Sequence, residues 1–273
     1  PNFKMRKSIV DQYVTYLERL GVKFQCNTYV GRDITLDQML EGEFDAAFLG
    51  TGAGVGNIME IEGEALQGVH KATDFLVRGN LGLNKLPGDL REPLPPPRNV
   101  VVIGGGDTAM DCVRTAIRLG AERVMCVYRR TENEMLGRGE ERKHAREEGV
   151  EFAMLTLPTH IIGDDTGKVV AVELQKMELG EPDASGRRSP KPIVGSEYTV
   201  PADTVAIAIG YGADPIVPKT TSGLKADRKA LVQVDTRMRT SRPGVFAGGD
   251  NVNGADLVVT ALASWWKVRR DPS

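Results

Sequence analysis

The stretch NVVVIGGGDTAMD, residues 99–111, decides the fold of this chain. An apolar strand pattern runs straight into three glycines, and a helical pattern follows that ends at Gly120. Gly104, Gly106 and Ala109 fill the GxGxxG/A fingerprint at this junction. The first glycine permits the tight turn, the second lets a pyrophosphate approach the backbone, and the small third residue lets helix and strand pack closely. The stretch therefore predicts a βαβ unit whose helix N-terminus binds nucleotide phosphates, with a merely connecting glycine turn as the alternative.

The end of the next strand, RVMCVY at 123–128, indicates which dinucleotide binds. NAD-binding units carry an acidic residue about 20 positions beyond the fingerprint, where it bonds the ribose 2′-OH. Arg129 and Arg130 occupy that place here. Two guanidinium groups can hold a 2′-phosphate through charge-assisted, often bidentate hydrogen bonds. We therefore predict NADP(H) rather than NAD(H), with a solvated strand end as the alternative reading of these arginines.

The rest of the chain predicts an α/β fold with parallel strands, because strand and helix patterns alternate. The stretch REPLPPPR at 91–98 predicts an extended connector, since consecutive prolines cannot donate hydrogen bonds. We place one domain boundary near Pro95 and a second after residue 212, which gives domains at 1–94, 95–212 and 213–273. The predicted helices are 9–20, part of 65–86, 138–149 and a last one from about Ala255. The predicted strands lie in 22–30, 44–50, 99–103, 123–128, 150–157, 168–179, 198–210 and 230–251, and 181–196 is predicted to be an exposed loop.

Three further glycine motifs each follow an apolar strand pattern. They are GTGAG at 50–54, AIGYGADP at 208–215 and VFAGGDN at 245–251. Each motif alone could be an ordinary turn. Together they predict a second nucleotide-binding layer, with five candidate residues. These are Thr51, Gly52, Gly210, Gly249 and Asp250.

Composition excludes several classes of function. The net charge is only −2, so neither nucleic acid nor a membrane surface is an expected partner. The apolar run from Leu257 to Trp266 is far shorter than the roughly 20 residues of a membrane helix. Residues 1–10 contain no apolar signal core and no initiator Met, so we expect the sequence to begin inside a larger cytoplasmic protein.

The cysteines and histidines predict neither a metal site nor a catalytic acid, base or nucleophile. The cysteines are Cys26, Cys112 and Cys126. They are too few and too scattered for a disulfide framework or a metal cage, so we expect all three to be packing residues. The histidines are His70, His144 and His160. None has an obvious Ser or Cys partner, and we expect them to be surface or structural residues.

The motifs, in their order, resemble a known flavoprotein family. GTGAG, GGGDTAMDCVRTAIRLGA, VYRR, EEGVEF, AIG and VFAGGDNVNGADLVVTAL are similar to the small (β) subunit of NADPH-dependent glutamate synthase over nearly the whole chain. The same core recurs in the NADPH-binding part of dihydropyrimidine dehydrogenase and in the flavin subunit of bifurcating ferredoxin:NADP oxidoreductases. The resemblance implies two Rossmann-like dinucleotide-binding domains, with the NADP(H) domain inserted into an FAD domain that is incomplete here.

The resemblance also implies a reaction and its residues. A hydride passes from NADPH to FAD, and electrons leave through iron–sulfur clusters towards a large electron-accepting subunit or a ferredoxin-like partner. Such a reaction needs the two cofactors stacked at about 3.5 Å rather than a protein nucleophile. Carried over by position, the NADP pyrophosphate would lie against Gly104, Gly105, Gly106, Asp107 and Thr108. The 2′-phosphate would meet Arg129 and Arg130, and Asp250, beside Gly249, would bond the ribityl chain of FAD.

The chain departs from the family pattern at both ends. The family's FAD domain opens with its own strand and GxGxxG, after a cysteine-rich segment that binds the clusters, and nothing before Pro1 supplies either. We therefore expect this chain neither to hold FAD tightly nor to carry clusters. Ser264, Trp265 and Trp266 stand where the family has an acidic residue, Gly and Arg, so we expect a clash or repacking there. The functional alternatives are a nucleotide-binding module without turnover and a ferredoxin-linked or pyrimidine-reducing relative.

Overall fold

The computed structural model describes residues 1–82, 85–86, 88–182 and 188–269, and the side chains of the last helix up to residue 263. The chain forms two compact units. The first unit contains Pro1–Met5 and Gly56–Gly210, and the second contains Arg6–Val55 and the residues from Tyr211 onward. The two ends of the Gly56–Gly210 segment are neighbours, because the Asn57 N–H donates to the Gly210 carbonyl at 3.0 Å.

The helices and strands of the described residues follow in chain order. The α-helices are α1 (Lys7–Arg19), α2 (Leu36–Glu41), α3 (Ala72–Asn80), α4 (Asp107–Arg118), α5 (Gly139–Glu147), α6 (Ile216–Thr220), α7 (Asp250–Asn253) and α8 (Val258–Arg269). The strands are β1 (Ala47–Leu49), β2 (Val55–Gly56), β3 (Val69–Lys71), β4 (Asn99–Ile103), β5 (Arg123–Tyr128), β6 (Glu151–Met154), β7 (Thr156–Gly163), β8 (Val169–Pro182), β9 (Arg188–Pro192), β10 (Tyr198–Pro201), β11 (Thr204–Ile207), β12 (Tyr211–Gly212) and β13 (Val245–Ala247). Short 3-10 turns lie at Gly88–Leu90 and Glu132–Glu134.

A five-stranded parallel sheet forms the centre of the first unit, in the order β3-β11-β4-β5-β6. Its middle strands are apolar at nearly every position, as a parallel sheet covered on both faces requires. Val100 and Val102 of β4 face a core that includes Ala109 and Val113 of α4. Val101 faces the opposite core, because successive strand residues point to opposite sides.

The second core of the first unit lies beneath an antiparallel sheet. Strands β10, β8 and β7 pair in that order, and β9 pairs with β8. Ile161, Val172 and Leu174 from this sheet are fully buried against the parallel sheet. Helices therefore cover one face of the parallel sheet, and strands cover the other.

The second unit is built around a short parallel pair, β1 and β13. Its core contains Leu36 of α2, Leu49 of β1, Val217 of α6 and Val245 of β13. Thr35 begins α2 with a capping box in which its hydroxyl accepts from the Gln38 N–H at 3.2 Å. Helix α1 ends at the predicted glycine and has no buried residue.

The predicted α/β class is confirmed, and so is the strand, glycine turn, helix and strand order of residues 99–128. The helix predicted at 9–20 is α1, and the strand predicted at 44–50 contains β1. The strand predicted at 22–30 is wrong: within these residues, all of them described, only Val30 forms a bridge, to Ile34. Val22 and Phe24 are exposed, so their apolar pattern meets no sheet.

Two other elements and one boundary differ from the predictions. The loop predicted at 181–196 contains β9, whose two prolines suit an edge strand. Among the described residues of 65–86, the helical pattern corresponds to one α-helix, α3, which ends at Asn80. The predicted boundary near Pro95 lies inside the first unit, because β3 pairs with β11 and α3 packs on α4. The predicted boundary after 212 lies close to the observed crossing after Gly210.

A nearly buried arginine ties α4 to α5. The guanidinium of Arg114 donates to Glu141 at 2.8 Å and to Glu148 at 2.9 Å. Arg118 adds a bond of 2.7 Å to Glu148, and the ring of Phe3 covers both guanidinium groups. Hydrogen bonds from Arg118 first, and then from Arg114, lower the pKa of Glu148 from 4.5 to about 2 against the opposing effect of burial. The ionised carboxylate therefore stabilises this helix pair.

We expect Glu148→Gln to lower the free energy of unfolding by about 2 kcal/mol at pH 7, because it removes charge-assisted bonds from a nearly buried guanidinium. The pKa of Glu148 is lower in the folded chain than in the unfolded one. The difference in unfolding free energy between the two proteins is therefore complete above pH 4.5 and shrinks as the pH falls towards 2. Urea unfolding across this pH range measures it. Glu147→Gln is the matched control, since that exposed side chain lies 3.7 Å from Lys143 and contributes less than about 0.5 kcal/mol. Equal losses in both variants would contradict the prediction.

Candidate functional site

The glycine turn lies at the carboxyl end of β4, and each of its glycines meets a different surrounding. A Cβ built on Gly104 would lie 2.2 Å from the Ala208 carbonyl oxygen, and φ there is 143°. A Cβ on Gly105 would lie 2.6 Å from the Tyr128 ring. At Gly106 no atom of the described residues would lie within 4 Å. The first two glycines are therefore required by the protein's own packing, whereas the third leaves free space.

Helix α4 begins directly after this turn. Gly106 is its N-cap, and the first helical bond runs from the Met110 N–H to the Gly106 carbonyl at 3.2 Å. The N–H groups of the first turn, including those of Asp107 and Thr108, have no partner within the helix by its geometry. They provide donors and positive potential for an anion. Ala109 is fully buried beneath the turn, where its small side chain lets α4 approach β4.

A cavity of about 630 Å³ opens above the turn, within the size range of ligand sites. Its rim carries Arg129, which is exposed, and Arg130, which is half-buried. The Arg130 Nε donates to the Arg188 carbonyl at 3.0 Å, which holds this guanidinium at the rim. The predicted residues that line the cavity are Gly104, Gly105, Gly106, Thr108, Arg129, Arg130 and Gly210.

The remaining predicted residues of the turn do not face the cavity. The carboxylate of Asp107 faces Arg138, with one oxygen 2.9 Å from the backbone N–H and the other 3.2 Å from Nε. Ala109 lies in the core behind the turn. Asp107 can therefore contact an anion through its backbone N–H but not through its carboxylate.

Gly210 lines this cavity rather than one with Gly249, contrary to the predicted grouping of the later glycine motifs. The reason is the sheet order: β11, which Gly210 follows, pairs with β4. Parallel strands end at the same edge, so the residues after β11 lie beside those after β4.

The apolar lining of the cavity was missed by the sequence analysis. It consists of Ile58, Met59, Ile61, Ile103, Val127, Leu136, Leu157, Pro158, Ala208 and Ile209, with Tyr128 and Thr156. Ile58 and Leu157 come from segments far from the fingerprint in sequence, and no local pattern links them to it. Leu136 could have been predicted as a candidate, because it is an apolar residue in the mostly polar stretch TENEMLGR.

A second cavity, also of about 630 Å³, lies within the second unit at the carboxyl ends of β1 and β13. Gly52, Gly249 and Asp250 line it, whereas Thr51 is not among its described lining residues. Gly249 has φ of 81°, which favours glycine, and α7 begins after it. The Asn251 side-chain amide donates to the Leu49 carbonyl at 3.1 Å and so ties α7 to β1. The side chains of the predicted departure at Ser264, Trp265 and Trp266 lie outside the described residues.

The cysteines divide into two groups. Cys112 and Cys126 are buried, and burial raises the pKa of both thiols, to about 12 for Cys126. The Cys126 Sγ lies 3.3 Å from the Gly104 carbonyl, directly behind the glycine turn. Cys26 is exposed, so the expectation that it packs in a core is wrong: the strand predicted around it does not form.

The histidines lie outside both cavity linings as described. His70 is half-buried beside Phe75, and burial, with the charge of Arg78, lowers its pKa to about 4. His144 and His160 are half-buried. Among the described residues, no group of three or more His, Cys, Asp and Glu side chains could hold a metal ion. No helix in the described part of the chain is long and apolar enough to cross a membrane.

Comparisons with known proteins give consistent matches. The family model described as pyridine nucleotide-disulphide oxidoreductase matches residues 3–264. The chain is 43% identical over 269 residues to the glutamate synthase [NADPH] small chain of Halomonas elongata, and 41% identical over 269 residues to that of Escherichia coli. Each match covers 96% of this chain, but it covers only 56% of the Halomonas elongata protein and 57% of the Escherichia coli protein. The chain therefore spans little more than half of the length of these relatives.

A solved structure shows the same fold. Mycobacterium tuberculosis FprA in complex with NADPH superposes with a TM-score of 0.73 at 21% sequence identity. The match covers 96% of this chain and 70% of FprA.

Two alanine substitutions in the glycine turn should separate packing from ligand space. We expect Gly104→Ala to destabilise the protein by at least about 2 kcal/mol, because its Cβ would collide with the backbone at an unfavourable φ. We expect Gly106→Ala to keep the melting temperature but to weaken the binding of adenine dinucleotides by about 10-fold or more, because its Cβ would enter the cavity. Thermal unfolding and fluorescence titration measure the two effects. A Gly106→Ala protein that melts as early as Gly104→Ala would refute this distinction.

Proposed function

This chain belongs to the pyridine nucleotide-disulphide oxidoreductase family, and on that premise we propose that it binds NADP(H) in the first unit and that its parent protein passes a hydride from NADPH to FAD. The observation that carries the proposal is the cavity above the glycine turn. A Cβ on Gly106 would meet no atom of the described residues within 4 Å, and this glycine lies at the start of α4. Arg129 and Arg130 lie at the rim of the same cavity.

The first unit has a separate group for each charged part of the nucleotide. The backbone of Gly104, Gly105 and Gly106 and the first turn of α4 offer N–H donors to the pyrophosphate. Arg129 and Arg130 offer guanidinium donors to the 2′-phosphate. A 2′-OH could not replace those charge-assisted bonds, so the site favours NADP(H) over NAD(H).

The order of the strands supports one orientation of the bound nucleotide along the edge of the parallel sheet. The glycine turn follows β4, which lies between β5 and β11. Arg129 follows β5, so the adenosine half extends to that side. The nicotinamide half then extends towards β11, where Ile58, Ile209 and Gly210 line the cavity. Ile58 and Ile209 are exposed apolar side chains that would exclude water around the reacting ring.

When bound, NADPH supplies a hydride, with both of its electrons, to an acceptor flavin. The second cavity, with Gly52, Gly249 and Asp250, is our proposed location for part of the FAD. Thr51 is part of the same proposal through its place next to Gly52. The iron–sulfur clusters and the electron-accepting partner, a larger subunit or a ferredoxin-like protein, belong to the proposed parent protein. The names of the two glutamate synthase relatives, each a small chain, support a partner subunit. A cytoplasmic location completes the proposal.

We expect Arg129→Ala to raise the dissociation constant for NADPH by about 10-fold or more, because it removes a charge-assisted bond to the 2′-phosphate. The dissociation constant for NADH should not change. Nucleotide fluorescence titrations with both cofactors measure the preference. Arg123→Ala is the matched control, because this arginine starts β5 and pairs with Glu151 at 2.7 Å. Equal affinity of the unsubstituted chain for NADPH and NADH would overturn the NADP(H) assignment.

The flavin part of the proposal needs its own measurement. With saturating FAD and without oxygen, we expect NADPH to bleach the visible flavin absorbance in the presence of the chain, and NADH to do so far more slowly. Free FAD with NADPH and no protein is the control. If NADPH binds but the flavin band persists, the chain acts as a nucleotide-binding module without turnover.

A further inference from the structure

Residues 131–138, here called the strap, run from the end of the second βαβ strand to the start of α5 and are fixed at both ends. Thr131 starts the strap with a capping box, in which its N–H donates to the Glu134 carboxylate at 3.0 Å. At the other end, the Gly137 N–H donates to the Gly105 carbonyl at 2.9 Å. The Arg138 N–H donates to the Asp107 carboxylate at 2.9 Å. The strap is therefore bonded directly to the glycine turn.

The strap is also anchored from beneath. Met135 is buried in the core that holds α4. The Tyr128 hydroxyl donates to the Glu134 carbonyl at 2.8 Å. A Cβ on Gly137 would lie 3.2 Å from the Gly105 oxygen, so the close approach to the turn suits glycine at this position. These contacts fix the backbone on both sides of residue 136.

Leu136 is the residue that these anchors leave pointing into the cavity. It is 78% exposed and lines the cavity together with the glycine turn and the two arginines. An isolated exposed leucine is ordinary on a protein surface. Leu136 differs because Met135 and Gly137 are fixed on either side, so the side chain cannot turn into the core. A ligand that enters the cavity can cover its apolar surface.

We propose that the strap clamps the adenosine half of the bound nucleotide, with Leu136 packing against the adenine base. This inference rests on the proposed NADP(H) site. The 2′-phosphate at Arg129 and Arg130 and the adenosine-side phosphate at the glycine turn both belong to the 2′-phospho-AMP half. The strap begins directly after Arg130, and its Gly137 N–H donates to the Gly105 carbonyl. It therefore connects the arginine pair to the glycine turn. The ribose joins the two phosphate groups and carries the adenine base at C1′, so an apolar side chain between the two anchors can meet the flat face of that base.

The test compares two ligands that share only the adenosine half. We expect Leu136→Ala to weaken the binding of NADPH and of 2′,5′-ADP by the same factor, about 5- to 10-fold, because both ligands lose the apolar contact. Leu136→Met, which keeps the apolar volume, should bind both ligands within about 2-fold of the unsubstituted chain. Val194→Ala is the matched control: Val194 is 91% exposed in the same unit and is not among the described lining residues. Isothermal titration calorimetry measures all four proteins with both ligands.

The outcomes distinguish this inference from the proposed function. Unchanged affinity of Leu136→Ala for both ligands would overturn the clamp and leave the NADP(H) site intact. A loss with NADPH but not with 2′,5′-ADP would also overturn it, because Leu136 would then contact the nicotinamide half. If the unsubstituted chain bound neither ligand, the proposed function itself would fail.

Discussion

Parallel pairing of β4 with β5 on one side and β11 on the other determines where the first cavity can lie. The three strands are buried on both faces, so their register cannot slip without exposing an apolar core. Their carboxyl ends consequently meet at one edge. The glycine turn, the arginine pair and Gly210 come from sites far apart in sequence, yet this single constraint brings them to one cavity. The pairing of β4 with β11 also brings Gly104 close to the Ala208 carbonyl.

Much of this arrangement could be predicted from sequence because its signals are local. The fingerprint encodes a strand, a turn and a helix within a few residues, and the arginines follow at a spacing set by one helix and one strand. Helix α1, which is followed by Leu20 as its C-cap and then by Gly21, is encoded in the same way. In each case the residues that carry the signal are the residues that form the structure.

The features that could not be predicted depend on contacts between distant segments. The apolar wall from Ile58 and Leu157 arises only after β7 has folded over the parallel sheet. The turn of the Asp107 carboxylate towards Arg138 depends on the path of the strap. Residues 22–30 have the composition of a strand but pair with no strand of the described residues, so propensity alone predicted an element that the tertiary structure does not form.

The hydrogen bond between Asn57 and Gly210 has a consequence for how such a protein can be built. The segment Gly56–Gly210, which forms one unit together with Pro1–Met5, leaves and rejoins the chain at neighbouring points, a span like that of a hairpin loop. Exchange of this segment at residues 56 and 210 would cut the chain at two neighbouring points, and Pro1–Met5 would have to be exchanged with it. The glycine turn and the arginine pair could then be exchanged together, as parts of one unit.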